Sequence, residues 1–287
     1  MDRLIEKASV LIEALPYIKA FFGKAVVIKY GGAAMVEEGL KRSVILDVIL
    51  MHYVGMRPIL VHGGGPQIGR AMKQAGLEPK FVKGLRVTDE ETMRIVEQVL
   101  VGEINQEIVS LINHHGGLAV GLSGKDGGLI RAKKASMVQG GEEVDLGLVG
   151  EVMSIAPAIL RALERDGFIP VVAPTGFGED GLTYNINADI VAGELAASLS
   201  AEKLVLLTDT DGILDEDGKL LSTLSRAQIE QLVLDGTLSE GMLPKVQACL
   251  TALNGGVRKT HIINGTIPHA LLLEIFTEKG IGTEIVQ

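Results

Sequence analysis

Short apolar runs rich in leucine and β-branched residues recur along the chain, separated by segments whose apolar residues have helical spacing. Six of these runs are predicted to be strands, at residues 25–30, 58–62, 119–123, 169–173, 204–208 and 260–263. Strands that alternate with helices form a mainly parallel sheet, which helices cover on both faces. The pattern therefore predicts an α/β fold with a buried central sheet.

Start and stop signals mark the longest predicted helix. Thr88, with Glu91 three residues later, predicts a capping box at its start. Gly116 and Gly117 predict that it ends near His114.

Two segments, 81–88 and 130–153, combine alternating polarity with glycines. We interpret them as hairpins laid over the edge of the sheet, where they would form lids. The sequence shows no Ser- or Pro-rich linker and no fixed-period repeat, so a lobe boundary would be a hinge within one continuous sheet. We expect this hinge near residues 176–181, between lobes at 25–178 and 179–287.

The first 24 residues carry one apolar stripe at helical spacing. Its members are Leu4, Ala8, Leu11, Leu15, Ile18 and Phe22. Pro16 lies within the stripe and is expected to kink or split the helix. This helix either packs on its own domain or serves as an oligomerisation and regulatory arm against a neighbouring subunit, and the pattern leaves both interpretations open.

The composition narrows the classes of function. The 287 residues include 36 acidic and 27 basic side chains, a formal charge of −9. This charge argues against nucleic acid or an anionic membrane as a partner, so an anionic ligand would need a local site. Cys249 is the single cysteine, no apolar run approaches the roughly 18 residues of a membrane span, and the N-terminus does not read as a signal peptide. We therefore expect a cytoplasmic protein.

The first candidate site follows the strand at 25–30. Lys29 lies near the C-terminal end of this strand and is followed by Gly31 and Gly32. Ligands of open parallel sheets bind beyond the carboxyl ends of the strands, and glycine amides can approach a phosphate closely. We interpret the segment as part of a phosphate site, with a solvated lysine in an ordinary turn as the alternative.

The strand at 58–62 leads into Gly63, Gly64 and Gly65, just before a helix. Unhindered amides at the positive end of a helix suit a carboxylate or a phosphoryl oxygen. His62 is interpreted as a buried structural residue rather than a general base. The chain contains neither the GxxxxGK[ST] loop nor the GxGxxG dinucleotide fingerprint, so its phosphate site would be of another design.

Further polar residues stand out near helix starts. Arg86 carries a planar fork that suits a carboxylate, although an arginine in such a segment is often a surface residue. Asn187 is predicted to cap a helix, which leaves its neighbours Asn185 and Asp189 as functional candidates. Lys245 also begins a helix, and taken alone it is a solvated residue.

Six segments in one order, KYGG, VHGGGP, GLRVT, NINAD, LLTDTDGIL and GMLPKV, resemble the amino-acid kinase family over essentially the whole chain. The resemblance is closest to the members that phosphorylate the side-chain carboxylate of N-acetyl-L-glutamate in arginine biosynthesis. It implies a three-layer αβα sandwich with an open, mainly parallel sheet. The lobe at 25–178 would bind the acyl amino acid and the lobe at 179–287 would bind ATP, the co-substrate, with Mg²⁺ held mainly by the phosphates.

The resemblance also implies roles for single residues. Lys29 and Lys245 would stabilise the transferring phosphoryl group, and Asp189 would orient both lysines. The residues implied to bind the acceptor are Gly64, Gly65, Arg86 and Asn185. Those implied to bind the nucleotide are Gly31, Gly32, Asp209, Thr210, Asp211, Gly212, Ile213, Leu214, Gly241 and Met242.

Regulation is implied as well, because an amphipathic N-terminal helix is typical of the arginine-inhibited, hexameric members of the family. The residues implied to bind arginine are Tyr17, Lys203, Glu274 and Gly280, with Glu274 on its guanidinium and Lys203 on its carboxylate. The hexamer would be a trimer of dimers. Whether a PII-type signalling protein binds is left open.

Three alternatives stay open. A sibling kinase would act on carbamate, aspartate, glutamate or a nucleoside monophosphate. A catalytically silent arginine sensor would keep the fold without turnover, although the two lysines and Asp189 argue against it. A nicotinamide dehydrogenase is disfavoured by the missing GxGxxG fingerprint.

Overall fold

An eight-stranded sheet forms the centre of the molecule. The computed structural model describes residues 1–139, 141–277 and 279–287. The strands, in chain order, are β1 (Ala25–Tyr30), β2 (Arg57–His62), β3 (Phe81–Val82), β4 (Leu85–Arg86), β5 (Ala119–Ser123), β6 (Ile130–Lys134), β7 (Met137–Gln139), β8 (Glu142–Val144), β9 (Gly150–Ile155), β10 (Ile169–Ala173), β11 (Thr175–Phe177), β12 (Thr183–Asn185), β13 (Lys203–Thr208), β14 (Thr223–Ser225), β15 (Lys259–Asn264) and β16 (Thr283–Val286).

Helices connect most of these strands. The α-helices are α1 (Asp2–Phe21), α2 (Glu38–Tyr53), α3 (Gly65–Gln74), α4 (Glu90–Glu97), α5 (Asn105–His114), α6 (Ala158–Arg165), α7 (Ala188–Leu199), α8 (Arg226–Leu234), α9 (Leu243–Asn254) and α10 (Ala270–Ile275). A π-helical segment, Gln98–Ile104, joins α4 to α5, and short 3₁₀ helices lie at Gly32–Met35 and Asp126–Gly128.

The central sheet has the strand order β14-β16-β15-β13-β1-β2-β10-β5. Its neighbouring strands are parallel except for β15 and β16, which are antiparallel. All six predicted strands are present, so the prediction of a mainly parallel sheet is confirmed. The short strands β14 and β16 were not predicted, because three or four residues carry little periodic signal.

Side chains of β1 alternate between two cores, as the two-residue period of a strand requires. Val26 and Ile28 pack under helices α2 to α5 and α10, whereas Val27 packs under α6 to α9. All three side chains are fully buried. Helices therefore cover both faces of the sheet, and the predicted three-layer αβα sandwich is confirmed.

Both predicted hairpins are present. Strand β3 pairs antiparallel with β4, and β6 pairs antiparallel with β9 around the smaller β7–β8 ladder. A second sheet has the order β12-β11-β6-β9. Residues 176–181 lie in the β11–β12 hairpin of this sheet. The hinge expected there and the lid function of the hairpins stay predictions.

The capping box predicted for Thr88 and Glu91 is wrong. Asp89 caps α4 instead, because its carboxylate accepts the N–H of Thr92 at 2.8 Å. Thr88 is fully buried, and its own N–H donates to the carbonyl oxygen of Leu146 at 3.0 Å. A strand-like pairing thus occupies Thr88, and the helix begins one residue later. The predicted end of α5 at His114 is confirmed.

Helix α1 continues through Pro16. Of the two effects expected of this proline, the split is wrong and the kink stays a prediction. Its apolar stripe stands away from the rest of the chain: Leu4, Leu11 and Leu15 are 64%, 73% and 55% exposed. Near its C-terminal end, the ring of Tyr17 packs edge-on against Phe276 with 6.2 Å between centroids. Helix α1 therefore contacts its own domain through its last turns while most of its stripe lies open. None of the helices in the described residues, α1 included, has the length and apolarity to cross a membrane.

A buried carboxylate joins α2 to the start of α10. Asp47 is fully buried, and its Oδ1 lies 2.6 Å from Nδ1 of His269. Ser43 Oγ accepts the N–H of His269 at 2.7 Å. Burial raises the pKa of Asp47 to about 6, although the contact with His269 opposes the shift.

We expect this carboxyl to make the free energy of unfolding fall as pH rises from about 4 to about 6. In that range the folded protein keeps the proton that the unfolded chain has already lost, so deprotonation favours unfolding. Asp47→Asn stays neutral, so its stability relative to the parent should increase across this range by on the order of 2 kcal/mol. Denaturant unfolding at several pH values measures the difference, and a constant difference would contradict the expectation.

Candidate active site

The glycine loops after β1 and β2 open into one cleft of about 290 Å³. The two strands are neighbours, with Tyr30 paired to His62, so the loops lie side by side beyond the carboxyl ends of the strands. Eight residues of the predicted site line this cleft: Lys29, Gly31, Gly32, Gly64, Gly65, Arg86, Asn185 and Asp189.

Asp189 holds two lysines at the cleft. Its Oδ1 lies 3.2 Å from Nζ of Lys29, and its Oδ2 lies 3.1 Å from Nζ of Lys245. Burial acts to raise the pKa of Asp189, but the two lysine charges outweigh it and hold the pKa below its usual value. The carboxylate therefore stays ionised, and the cluster carries one more positive than negative charge.

The start of α7 fixes this carboxylate. Asn187 Oδ1 accepts the N–H groups of Asp189 and Ile190 at 2.8 and 3.3 Å, so the predicted cap is confirmed. Asn185, at the end of β12, donates from Nδ2 to Oγ1 of Thr88 at 3.2 Å. That bond holds the Asn185 amide at the wall of the cleft.

Arg86 presents a buried guanidinium to the same cleft. The residue is 8% exposed, and its Nη2 donates to the carbonyl oxygen of Gly65 at 2.9 Å. Nη1 contacts Sδ of Met72 at 3.2 Å, and the guanidinium carbon lies 4.7 Å from the ring centroid of Phe81. Burial lowers the pKa of Arg86 from its usual value, yet within the described ranges it forms no ion pair with a carboxylate. An anion bound in the cleft would give this guanidinium a negatively charged partner.

Apolar side chains form much of the remaining wall, which suits an uncharged acyl group next to the charged end of a ligand. They are Met35, Ile68, Phe81, Leu85, Leu100, Val149 and Ile186. Sequence reasoning missed them, because leucine, isoleucine and valine in such segments are also ordinary core residues. The register of the β3–β4 hairpin, which pairs Phe81 with Arg86, is a signal that could have found the stacked ring.

Asp209 joins the end of β13 to the loop after β1. Its Oδ1 accepts the N–H of Ala33 at 2.7 Å. Gly32 has φ of +69°, and a Cβ there would collide with the Asp209 carboxylate, so glycine is required on both grounds. Asp209 thus contacts the first glycine loop directly.

Asp209 and Lys245 are not part of the lining of this cleft. The other residues expected to bind nucleotide also lie outside it; they are Thr210, Asp211, Gly212, Ile213, Leu214, Gly241 and Met242. Ile213 is 2% exposed and donates its N–H to Oγ1 of Thr283 at 2.8 Å. Asp211 Oδ1 accepts a hydrogen bond from Asn264 at 2.7 Å. Packing therefore accounts for part of this segment, and its contact with a nucleotide stays a prediction.

The four residues expected to bind arginine line a second cleft, of about 260 Å³: Tyr17, Lys203, Glu274 and Gly280. His261, which sequence reasoning missed, connects two of them. Its Nδ1 lies 2.7 Å from Oε1 of Glu274, and its Nε2 lies 3.1 Å from Nζ of Lys203. A histidine inside the apolar strand predicted at 260–263 was the available signal.

Known proteins match the chain over its full length. The model of the amino acid kinase family matches residues 24–264. The acetylglutamate kinase of Syntrophobacter fumaroxidans is 58% identical over 290 residues, which cover 99% of this chain and 97% of the relative. The acetylglutamate kinase of Syntrophus aciditrophicus is 55% identical over 292 residues, which cover 100% and 99%.

Solved structures include the N-acetylglutamate synthase of Neisseria gonorrhoeae complexed with coenzyme A and N-acetyl-glutamate. It matches with a TM-score of 0.86 and 30% identity, over 98% of this chain and 63% of the synthase chain. The same synthase complexed with coenzyme A and L-arginine matches with a TM-score of 0.82 and 29% identity, over 97% and 65%. This chain thus spans a little under two thirds of the synthase.

Proposed function

The chain belongs to the amino acid kinase family, and we propose that it transfers the γ-phosphoryl group of ATP to the side-chain carboxylate of N-acetyl-L-glutamate. The product is N-acetyl-L-glutamyl 5-phosphate, an intermediate of arginine biosynthesis. Relatives that are 55% and 58% identical over their full length are acetylglutamate kinases, which supports this reaction. The observation that carries the proposal is the cleft itself, where Lys29 and Arg86 lie beside the glycine loops and Asp189 pairs with both Lys29 and Lys245.

The chemistry fits these residues. A carboxylate oxygen attacks the γ-phosphorus, and the bond from that phosphorus to the bridging oxygen of ADP breaks. The nucleophile is already ionised at neutral pH, so the reaction requires no general base. His62 would serve poorly as one, because burial lowers its pKa to about 4. The main difficulty is to bring two anions together, and phosphoryl transfer depends chiefly on positioning and charge stabilisation.

Each residue then has a role in this proposal. Lys29 and Lys245 stabilise the transferring phosphoryl group, and Asp189 holds both ammonium groups. Arg86 and Asn185, with the amides of Gly64 and Gly65, bind the acyl amino acid in the lobe at 25–178. The lobe at 179–287 binds ATP through residues 209–214 and 241–242, with Gly31 and Gly32 facing its phosphates.

Mg²⁺ accompanies ATP in this proposal, bound mainly by the phosphates. The described part of the chain has no group of three or more His, Cys, Asp or Glu side chains that could hold a metal ion. Asp189 is paired with two lysines, so its carboxylate is not available to coordinate a metal ion. Mg²⁺ bound to substrate phosphates needs few protein ligands, and its contribution is to neutralise phosphate charge.

A direct assay tests the function. Purified protein is incubated with ATP, Mg²⁺ and one acid at a time, namely N-acetylglutamate, glutamate, aspartate or carbamate, and hydroxylamine traps any acyl phosphate. We expect hydroxamate with N-acetylglutamate alone. Turnover with another acid would leave the fold assignment unchanged but would give the pocket a different substrate. No turnover with any acid would refute the proposal in favour of a silent ligand sensor.

Arg86→Lys should raise the KM for N-acetylglutamate about tenfold or more, because lysine keeps the charge but loses the planar fork that matches a carboxylate. The KM for ATP should change little. Steady-state kinetics with each substrate varied separately measures both constants. Arg131→Lys is a matched control, since Arg131 also stacks on an aromatic ring, 5.7 Å from the Phe177 centroid. An unchanged KM in Arg86→Lys would contradict the assignment.

We also propose that arginine inhibits the enzyme by binding the second cleft, with its guanidinium on Glu274 and its carboxylate on Lys203. The charge arrangement there and the arginine complex of the similar synthase support this. The open stripe of α1 supports a hexamer, a trimer of dimers in which α1 helices of neighbouring subunits pack together. A PII-type partner and a cytoplasmic location remain predictions.

Deleting residues 1–22 should yield a dimer that arginine no longer inhibits, because the deletion removes both the apolar stripe and Tyr17. Light scattering gives the mass, and the hydroxamate assay with added arginine gives the inhibition. Leu11→Asp separates the two effects, since it places a charge on the stripe, where Leu11 is 73% exposed, but keeps Tyr17. A truncated protein that is still hexameric and still inhibited by arginine would contradict the proposal.

A further inference from the structure

A buried histidine lies directly beneath the second glycine loop. His62 ends β2 and is fully buried. Its Nδ1 lies 2.9 Å from the carbonyl oxygen of Gly63, and its Nε2 lies 3.2 Å from Nδ2 of Asn105. Asn105 is itself 1% exposed and also donates from Nδ2 to the carbonyl oxygen of Val171 at 2.9 Å. None of these side chains has a role in the reaction derived above.

The partners of the ring define where its proton lies. A carbonyl oxygen can only accept, so Nδ1 must carry the hydrogen that faces Gly63. The bond to Val171 fixes which end of the Asn105 amide is the nitrogen, and an amide nitrogen only donates, so Nε2 must be the bare acceptor. Burial lowers the pKa of His62 to about 4, which keeps the ring neutral near pH 7. The contacts are thus consistent with a neutral ring protonated on Nδ1.

This tautomer has a consequence for the glycine loop. In a planar trans peptide the carbonyl and the following N–H point in opposite directions. Holding the Gly63 carbonyl toward His62 therefore turns the Gly64 N–H away from the ring and toward the cleft that Gly64 lines. Within the described residues no backbone acceptor takes this N–H.

The π-helical segment supports the loop from another side. Leu100 and Ile104 lie so close to Gly64 that a Cβ there would stand 2.5 and 2.7 Å from their methyl groups. Asn105 follows directly, where the π segment ends and α5 begins. Such segments widen a helix locally and often place functional side chains. Here the segment brings two packing contacts to the loop, and the residue that follows it, Asn105, donates to the histidine at the end of β2.

We propose that Asn105 and His62 are positioning residues that aim the Gly64 N–H at the reacting anion. Asn105 selects the ring tautomer, His62 holds the Gly63 carbonyl, and the Gly64 amide is left as a fixed donor for a phosphoryl or carboxylate oxygen. The inference rests on the proposed function, which supplies that anion. A fixed donor stabilises the transition state more than a mobile one does, because it needs no reorganisation during the reaction.

Two variants of His62 provide a matched test. In His62→Asn the side-chain amide nitrogen reaches about the position of Nδ1 and can still donate to the Gly63 carbonyl. In His62→Gln the amide reaches about the position of Nε2, so that carbonyl loses its donor. We expect His62→Asn to keep kcat within about threefold of the parent, and His62→Gln to lose about tenfold to a hundredfold. The KM for ATP should stay within a few-fold in both.

Melting temperatures and NMR separate positioning from packing. The two variants should melt at similar temperatures while their kcat values differ. In the parent, nitrogen shifts of ¹⁵N-labelled histidine should show His62 protonated on Nδ1 at pH 7, and the Nε2-protonated form would overturn the proposal even if both variants fail to fold. If the parent is active but the two variants have equal kcat values, the positioning role of His62 is refuted and the proposed function is not. A parent inactive with every acid would instead refute the proposed function, and the Gly64 amide role with it.

Discussion

Lys29→Ala should lower kcat by about 10² to 10³ while the KM values for ATP and N-acetylglutamate stay within a few-fold. Lys29 is 8% exposed and its ammonium group lies in the cleft, 3.2 Å from Asp189. In the proposed reaction it would face the place where negative charge accumulates as the two anions meet. An interaction that strengthens mainly in the transition state affects turnover more than ground-state binding.

Lys133→Ala is the matched control for this result. Lys133 also pairs with a carboxylate, 3.3 Å from Glu151, but it lies on the second sheet, away from the cleft lining. We expect its removal to leave kcat unchanged. Near-normal turnover in Lys29→Ala would refute the role assigned to this lysine, and an equal loss in Lys133→Ala would point to a general effect on folding.

The glycine loops and their lysine could be predicted because they depend on local sequence. A strand of apolar residues that ends in Lys29, Tyr30 and two glycines places those groups at the carboxyl edge of a parallel sheet, whichever strands lie next to it. The sequence pattern does not determine which strands lie beside β1 in the sheet. Strand β13 lies beside β1 through a crossover of more than half the chain, and this pairing brings Asp209 to the N–H of Ala33.

Contacts between distant residues account for what sequence reasoning missed. Asn105 reads as one more polar residue of a helix, and its bond to His62 exists because the π segment and β2 meet in space. His261 reads as an irregular residue in an apolar strand, although it connects Glu274 and Lys203. The capping prediction failed for a similar reason, since the pairing of Thr88 with Leu146 removes Thr88 from the helix.

The charge distribution explains how an acidic protein can bind acidic ligands. The formal charge of the chain is −9, and on that basis a local cationic site was expected. Lys29 and Arg86 line the cleft, and Asp189 pairs Lys29 with a second lysine, Lys245. Because these groups are largely buried, they interact with a bound anion more strongly than surface charges would. The local positive charge therefore offsets the net negative charge of the protein at this site.

Asp189→Asn should lower kcat by about 10² or more, because the substitution removes the charge that holds Lys29 and Lys245 together. Asp189 is 5% exposed, and its two oxygens lie 3.2 and 3.1 Å from the two ammonium groups. Asparagine keeps the shape, and Asn187 can still cap α7, so the fold should persist. Without the carboxylate the two like charges repel each other, and each lysine loses its defined position.

A double-mutant cycle tests whether Asp189 acts through the lysines. If it does, Asp189→Asn should cost much less in a protein that already carries Lys29→Ala, because one of the two groups it positions is absent. Steady-state kcat for the parent, both single variants and the double variant closes the cycle. Full additivity of the two losses would show that Asp189 acts independently of Lys29. A strong coupling, with unchanged melting temperatures, would make the lysine–aspartate–lysine cluster one functional unit in which the carboxylate acts by holding the lysines.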